Sequence, residues 1–98
     1  RVAVVGLGIL GLFTVQLLRA HGARVIAFDL AADQVERAKG MGAEAGIAGG
    51  GDDQVAAALA WSEGMGVDAV IVTAAVSARV PPCWVAITRK VPAVVPAV

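Results

Sequence analysis

The sequence predicts an α/β fold: a doubly wound parallel sheet of about four to five strands in an α/β/α three-layer sandwich, one domain over residues 1–98. Three observations predict it. A β-branched run, Arg1-Val2-Ala3-Val4-Val5, stops at Gly6 and gives way to helical sequence that closes with Gly22-Ala23. The same order then repeats, strand, helix and Gly42-Ala43. A further apolar run, Val-Asp-Ala-Val-Ile-Val-Thr at 67–73, has the make-up of another buried strand. Successive strand–helix units call for parallel strands joined by crossover helices.

Each element has its own justification. Residues 1–5 form the first strand. From residue 9 to about 20 the helix carries Leu10, Leu12, Phe13, Val15, Leu17 and Leu18 on nearly every side, so it is to be buried on more than one face. One face belongs on the sheet; the other needs a second cover, which a neighbouring domain supplies. Gly22 ends that helix, and His21 beside it suits the helix C-terminus. Residues 24–28 form the second strand, closed by Asp29. The second helix spans 33–41 with Val35, Ala38 and Met41 on one face. A weaker third strand falls near 44–48. After a Gly49-Gly50-Gly51 loop, Asp52 or Asp53 caps a helix running to about Ser62. Residues 67–73 form the fourth strand. Trp61 and Trp84 read as packing residues, and Met41 and Met65 as gap-fillers. Beyond Ala75 the prolines at 81, 82, 92 and 96 disrupt the pattern. Residues 84–90 read as helix and 93–98 as a fifth strand.

Composition narrows the function. Apolar residues make up 58% of the chain, against roughly 45–50% in typical soluble domains. Only 16% of residues are charged, and the net charge is zero. The excess apolar surface calls for a partner, while the balanced charge argues against nucleic acid or an anionic membrane. The uncharged stretch 2–18 fails as a membrane span because Gly6, Gly8 and Gly11 interrupt it. Cys83 is the only cysteine. It has no disulfide partner within the chain, which favours a reducing, cytoplasmic location.

The chemistry-bearing motif is Gly6-Leu7-Gly8-Ile9-Leu10-Gly11, a G-x-G-x-x-G that leaves a strand and opens a helix. Gly6 permits the tight turn, Gly8 lets a pyrophosphate approach the backbone, and Gly11 lets helix and strand pack closely. The helix N-terminus offers unpaired N–H groups and the positive end of its dipole to phosphate. Asp29 stands eighteen residues after Gly11, near the spacing of about 20 expected for a ribose-binding acid. Its carboxylate would repel a 2′-phosphate, and Leu30, Ala31 and Ala32 bring no cation, so NAD(H) is favoured over NADP(H). No residue has the pattern of a hydride-transfer acid or base; the chemistry belongs to a catalytic domain outside this chain.

Four segments together are more specific than the glycines. They are Val-Ala-Val-Val-Gly-Leu-Gly-Ile-Leu-Gly (2–11), Val-Gln-Leu-Leu-Arg-Ala-His-Gly-Ala-Arg-Val-Ile-Ala-Phe-Asp (15–29), Glu-Arg-Ala-Lys-Gly-Met-Gly-Ala (36–43) and Gly-Met-Gly-Val-Asp-Ala-Val-Ile (64–71). From Val2 to about Ala75 the chain resembles the Rossmann-type cofactor domain of medium-chain dehydrogenases, the zinc-type alcohol, sorbitol and threonine dehydrogenase superfamily. Val-Thr-Ala-Ala (72–75) is similar to bi-domain oxidoreductase members. The resemblance implies a hydride-transferring enzyme with NAD(H) between this domain and a catalytic one. It implies the pyrophosphate on Gly8, Ile9 and Leu10, the ribose on Asp29, and the nicotinamide side near Thr73 and Ala74. Zinc ligands would lie in the catalytic domain, and a homo-oligomer is compatible with the family.

The chain also departs from the family pattern. Gln34 replaces a basic residue common after the ribose acid, Gly40 weakens the second helix, and the proline-bearing tail, 76–98, reads as divergent or altered, as by a reading-frame shift. Two other functions share parts of the pattern. A non-catalytic nucleotide-sensing module would use the same glycines and Asp29. A methyltransferase-like domain would need a looser loop than Gly11 implies.

Overall fold

The computed structural model describes residues 1–49, 51–73 and 94–96. Their elements follow one another as β1 (Val2–Val5), α1 (Ile9–Ala20), β2 (Val25–Asp29), α2 (Ala32–Gly40), β3 (Ala45–Ala48), α3 (Gly51–Trp61), β4 (Ala69–Val72) and β5 (Val94–Pro96). The strands form one sheet in the order β3-β2-β1-β4-β5. All four pairings are parallel, with Val5 beside Phe28 on one side and Val72 on the other.

Alternation along the strands builds two cores. Ala3, Ile26, Phe28 and Val70 project to one face, where Ala58, Leu59 and Trp61 of α3 join them. Val4, Val25 and Ala27 project to the other and meet Val15 of α1 with Val35 and Ala38 of α2. Helices therefore cover both faces, and the predicted doubly wound α/β/α fold is the fold observed. The strand order reverses at β1, with β2 on one flank and β4 on the other. In such sheets the crevice beyond the C-terminal ends of the strands at this switch point is where ligands bind.

Several local expectations are refined. The third helix begins at Gly51, so both aspartates lie within its first turn instead of capping it. Met41 and Met65 are exposed, at 40% and 53%, and fill no gap in the core. Met41 is the residue that ends α2, where its N–H returns to the carbonyls of Arg37 and Ala38. The fifth strand is present, although Pro96 pairs with Val72. The expected helix at 84–90, with Cys83 and Trp84, lies outside the described residues.

α1 is two-sided in a particular way. Gly11 and Val15 are buried, whereas Ile9, Leu10, Phe13 and Leu17 are 56–78% exposed. At 100° per residue these four fall within one stripe of about 100°. No helix among the described residues is long and apolar enough to cross a membrane.

Candidate functional site

β1 runs out at Val5, in the middle of the sheet, and the chain must reverse before α1 begins at Ile9. Gly6 makes that reversal at φ +95°, a region that β-carbon-bearing residues rarely adopt. Its N–H donates to the Phe28 carbonyl at 2.8 Å, so the turn starts while still tied to β2. Leu7 follows, fully buried, and pins the turn to the core of the α1/α2 face.

The three glycines have separate causes. Gly11 must be glycine for packing: a β-carbon there would overlap the Gly6 carbonyl oxygen and lie 2.9 Å from Thr73 Oγ1. Gly8 has no such reason. Its backbone is ordinary extended chain, φ −74°, ψ −161°, and a β-carbon would meet nothing within 4 Å. Neither strain nor neighbours demand glycine at this position. What glycine leaves there is open approach to the backbone, directly before the helix. No side chain caps α1 at Gly8, and its first turn holds no acidic residue, so the helix N-terminus presents its N–H groups and positive dipole end outward. Ile9 and Leu10, whose N–H groups belong to this first turn, are exposed.

Asp29 closes the site from β2. Its Oδ2 accepts the Leu7 N–H at 2.7 Å and its Oδ1 accepts the Ala31 N–H at 2.9 Å. The carboxylate therefore stands directly against the glycine turn. On the other flank Thr73 follows β4, 8% exposed. Its N–H donates to the Val5 carbonyl at 2.8 Å and its hydroxyl to the Gly6 carbonyl at 2.5 Å. The structure thus brings together Gly6, Gly8, Ile9, Leu10, Gly11, Asp29 and Thr73 at the switch point; Ala74 lies outside the described residues. Sequence reasoning missed Leu7, whose N–H binds the acid. A backbone donor leaves no residue-type signal to find.

The opposite end of the sheet is held by a different cluster. Arg24, just before β2, forms a two-pronged ion pair with Glu44, just before β3, at 2.8 and 2.9 Å, and its guanidinium lies 5.8 Å from the Trp61 ring centre. The hydrogen bond from Arg24 holds the Glu44 carboxyl below its ordinary range, and the same bond raises Arg24. Because Glu44 is depressed, its contribution to stability is present above the ordinary glutamate range and is lost as pH falls through the lowered value. Solvent screens this half-exposed pair, so its contribution is small.

Comparison with known proteins agrees with this geometry. The sequence profile of the zinc-binding dehydrogenase family matches residues 10–90. The chain belongs to that family. The match begins in the first turn of α1, after Gly6 and Gly8, and runs through most of the proline-bearing tail. No curated protein matches the sequence. Among solved structures, a Sinorhizobium meliloti protein classed as an alcohol dehydrogenase shares 27% identity at a TM-score of 0.82, covering 100% of this chain and 29% of that one. Galactitol-1-phosphate dehydrogenase from Escherichia coli shares 25% at 0.73, covering 97% and 28%. An E. coli oxidoreductase/dehydrogenase of unknown specificity, involved in membrane biogenesis, shares 31% at 0.70, covering 76% and 22%. The chain therefore spans less than a third of each of these relatives. This chain corresponds to the cofactor-binding domain of that oxidoreductase family. Among its described residues no three His, Cys, Asp or Glu side chains stand close enough to hold a metal ion, so they do not fit the zinc of the family's name.

Proposed function

We propose that this chain is the NAD(H)-binding domain of an alcohol dehydrogenase-like oxidoreductase, with the catalytic residues in a domain outside it. The observation that carries the proposal is Gly8, a glycine required by neither conformation nor packing, at an uncapped helix N-terminus beside a carboxylate. The N–H groups of the Gly8-Ile9-Leu10 segment would hold the pyrophosphate. Asp29 would take the adenosine ribose: an ionised carboxylate has about four acceptor sites, and two are used by Leu7 and Ala31. Thr73, which follows β4, and Ala74 after it in the sequence would border the nicotinamide side. When bound, the nicotinamide would supply the hydride acceptor or donor, while this chain's residues would hold the pyrophosphate and the ribose and so fix where the nicotinamide lies. Any zinc would be held by the catalytic domain. That domain would also cover the apolar stripe on α1, and a reducing, cytoplasmic setting would suit the single Cys83.

The preference for NAD(H) rests on charge. A 2′-phosphate would approach the Asp29 carboxylate, and Leu30, Ala31 and Ala32 offer it no cation. Calorimetric titration with NADH and separately with NADPH tests the reading. Tighter binding of NADH is expected, abolished by Gly8→Val and weakened by Asp29→Ala. Equal or tighter binding of NADPH would overturn the nucleotide assignment, and binding of neither by a folded protein would overturn the cofactor role itself.

A further inference from the structure

The Thr73 hydroxyl has one proton to donate, and it is committed. Gly6 O lies 2.5 Å from Oγ1, whereas the Val5 carbonyl is 3.5 Å away, beyond a good hydroxyl hydrogen bond. Thr73 is itself held rigidly, because its N–H is bonded to Val5 and the β4–β1 register ends at Val72 beside Val5. The Gly6 carbonyl is thus wedged between Thr73 Oγ1 on one side and Gly11 on the other. Two residues later the same turn presents the Gly8 backbone.

We infer that Thr73 is a positioning residue: its hydroxyl fixes the Gly6 carbonyl, and through the turn it aims the Gly8-Ile9-Leu10 N–H groups at the dinucleotide pyrophosphate. The inference rests on the proposed function and adds the device that sets the geometry of its phosphate site. Valine at 73 would replace the hydroxyl by a methyl group, which needs about 3.3 Å or more from a carbonyl oxygen. Gly6 would have to retreat by most of an ångström, enough to spoil N–H···O bonds that tolerate only a few tenths. Serine keeps the hydroxyl and drops only the methyl.

The test is fluorescence titration of the full-length protein with NADH, alongside thermal unfolding. Thr73→Val is expected to weaken binding about tenfold, at the upper end of a lost hydrogen bond because the turn also shifts. Thr73→Ser is expected to restore binding to within about twofold of wild type, inside the spread of a kept hydrogen bond. Should Thr73→Val fail to fold, Thr73→Ala removes the hydroxyl without added bulk and carries the same comparison. A merely structural role would lower the melting temperature and leave the affinity of the folded protein unchanged. Unchanged affinity in the hydroxyl-free variant overturns the inference, and so does a serine variant as weak as valine. If wild type binds NADH and Thr73→Val binds equally, only this inference falls; if folded wild type binds no dinucleotide, the cofactor reading falls with it.

Discussion

At Gly11 an added methyl group would overlap the Gly6 carbonyl, while at Gly8 the same group would stand in open space. The two substitutions should therefore separate stability from binding. Gly11→Ala forces the helix away from β1, and overpacking of this kind costs about 1–3 kcal/mol. Gly8→Ala leaves the packing intact and costs about 1 kcal/mol or less, as a poorer helix-capping residue. Thermal unfolding should show the larger loss at Gly11, and nucleotide titration a loss at Gly8 out of proportion to its stability change. Loss of neither stability nor binding at Gly8 would remove the central argument for a phosphate there. The spacing of the motif was legible in the sequence because each glycine is a residue-type signal. The division of labour among them was not, because it depends on what each absent β-carbon would touch. The Leu7–Asp29 bond was invisible for a related reason: its donor is backbone.

α2 shows how a helix is written weakly and still forms. Its N-terminus has Ala31 as cap, with no side-chain hydrogen bond, and its last residue is Gly40. Both are poor choices by propensity alone. The helix is secured by Val35 and Ala38 packing on the sheet and by Asp29 Oδ1 on the Ala31 N–H. Because a β-carbon at Gly40 would meet nothing within 4 Å, with no positive φ to forbid it, Gly40→Ala should stabilise the protein by about 0.5–1 kcal/mol. Chemical denaturation reads this directly; destabilisation would show that the end of α2 needs glycine's freedom. The strands and helices were legible from β-branched runs and glycine stops. Their ends moved by a residue or two, since fraying and tertiary contacts set the boundary. The start of α3 was misplaced because a run of three glycines before two aspartates reads as loop plus cap, yet the helix takes in Gly51.

At the scale of the molecule, the exposed large hydrophobic side chains among the described residues are concentrated on α1. Ile9, Leu10, Phe13 and Leu17 line one exposed stripe, and the solved relatives described above are more than three times as long as this chain. Under the proposed function the catalytic domain lies over that stripe, and covering a side chain of this kind contributes roughly 1.5–3 kcal/mol when complete. The double substitution Phe13→Glu with Leu17→Lys separates the two surroundings of α1. In the 98-residue chain expressed alone, the stripe faces water, and the charges should reduce self-association in sedimentation while hardly changing stability. In the full-length polypeptide the same charges, paired only with each other at i,i+4, would be buried; desolvating them costs more than the pair returns, and the melting temperature should fall by several degrees. An unchanged melting temperature in the full-length protein would mean that α1 faces solvent there, and the covering domain would have to be sought on another surface.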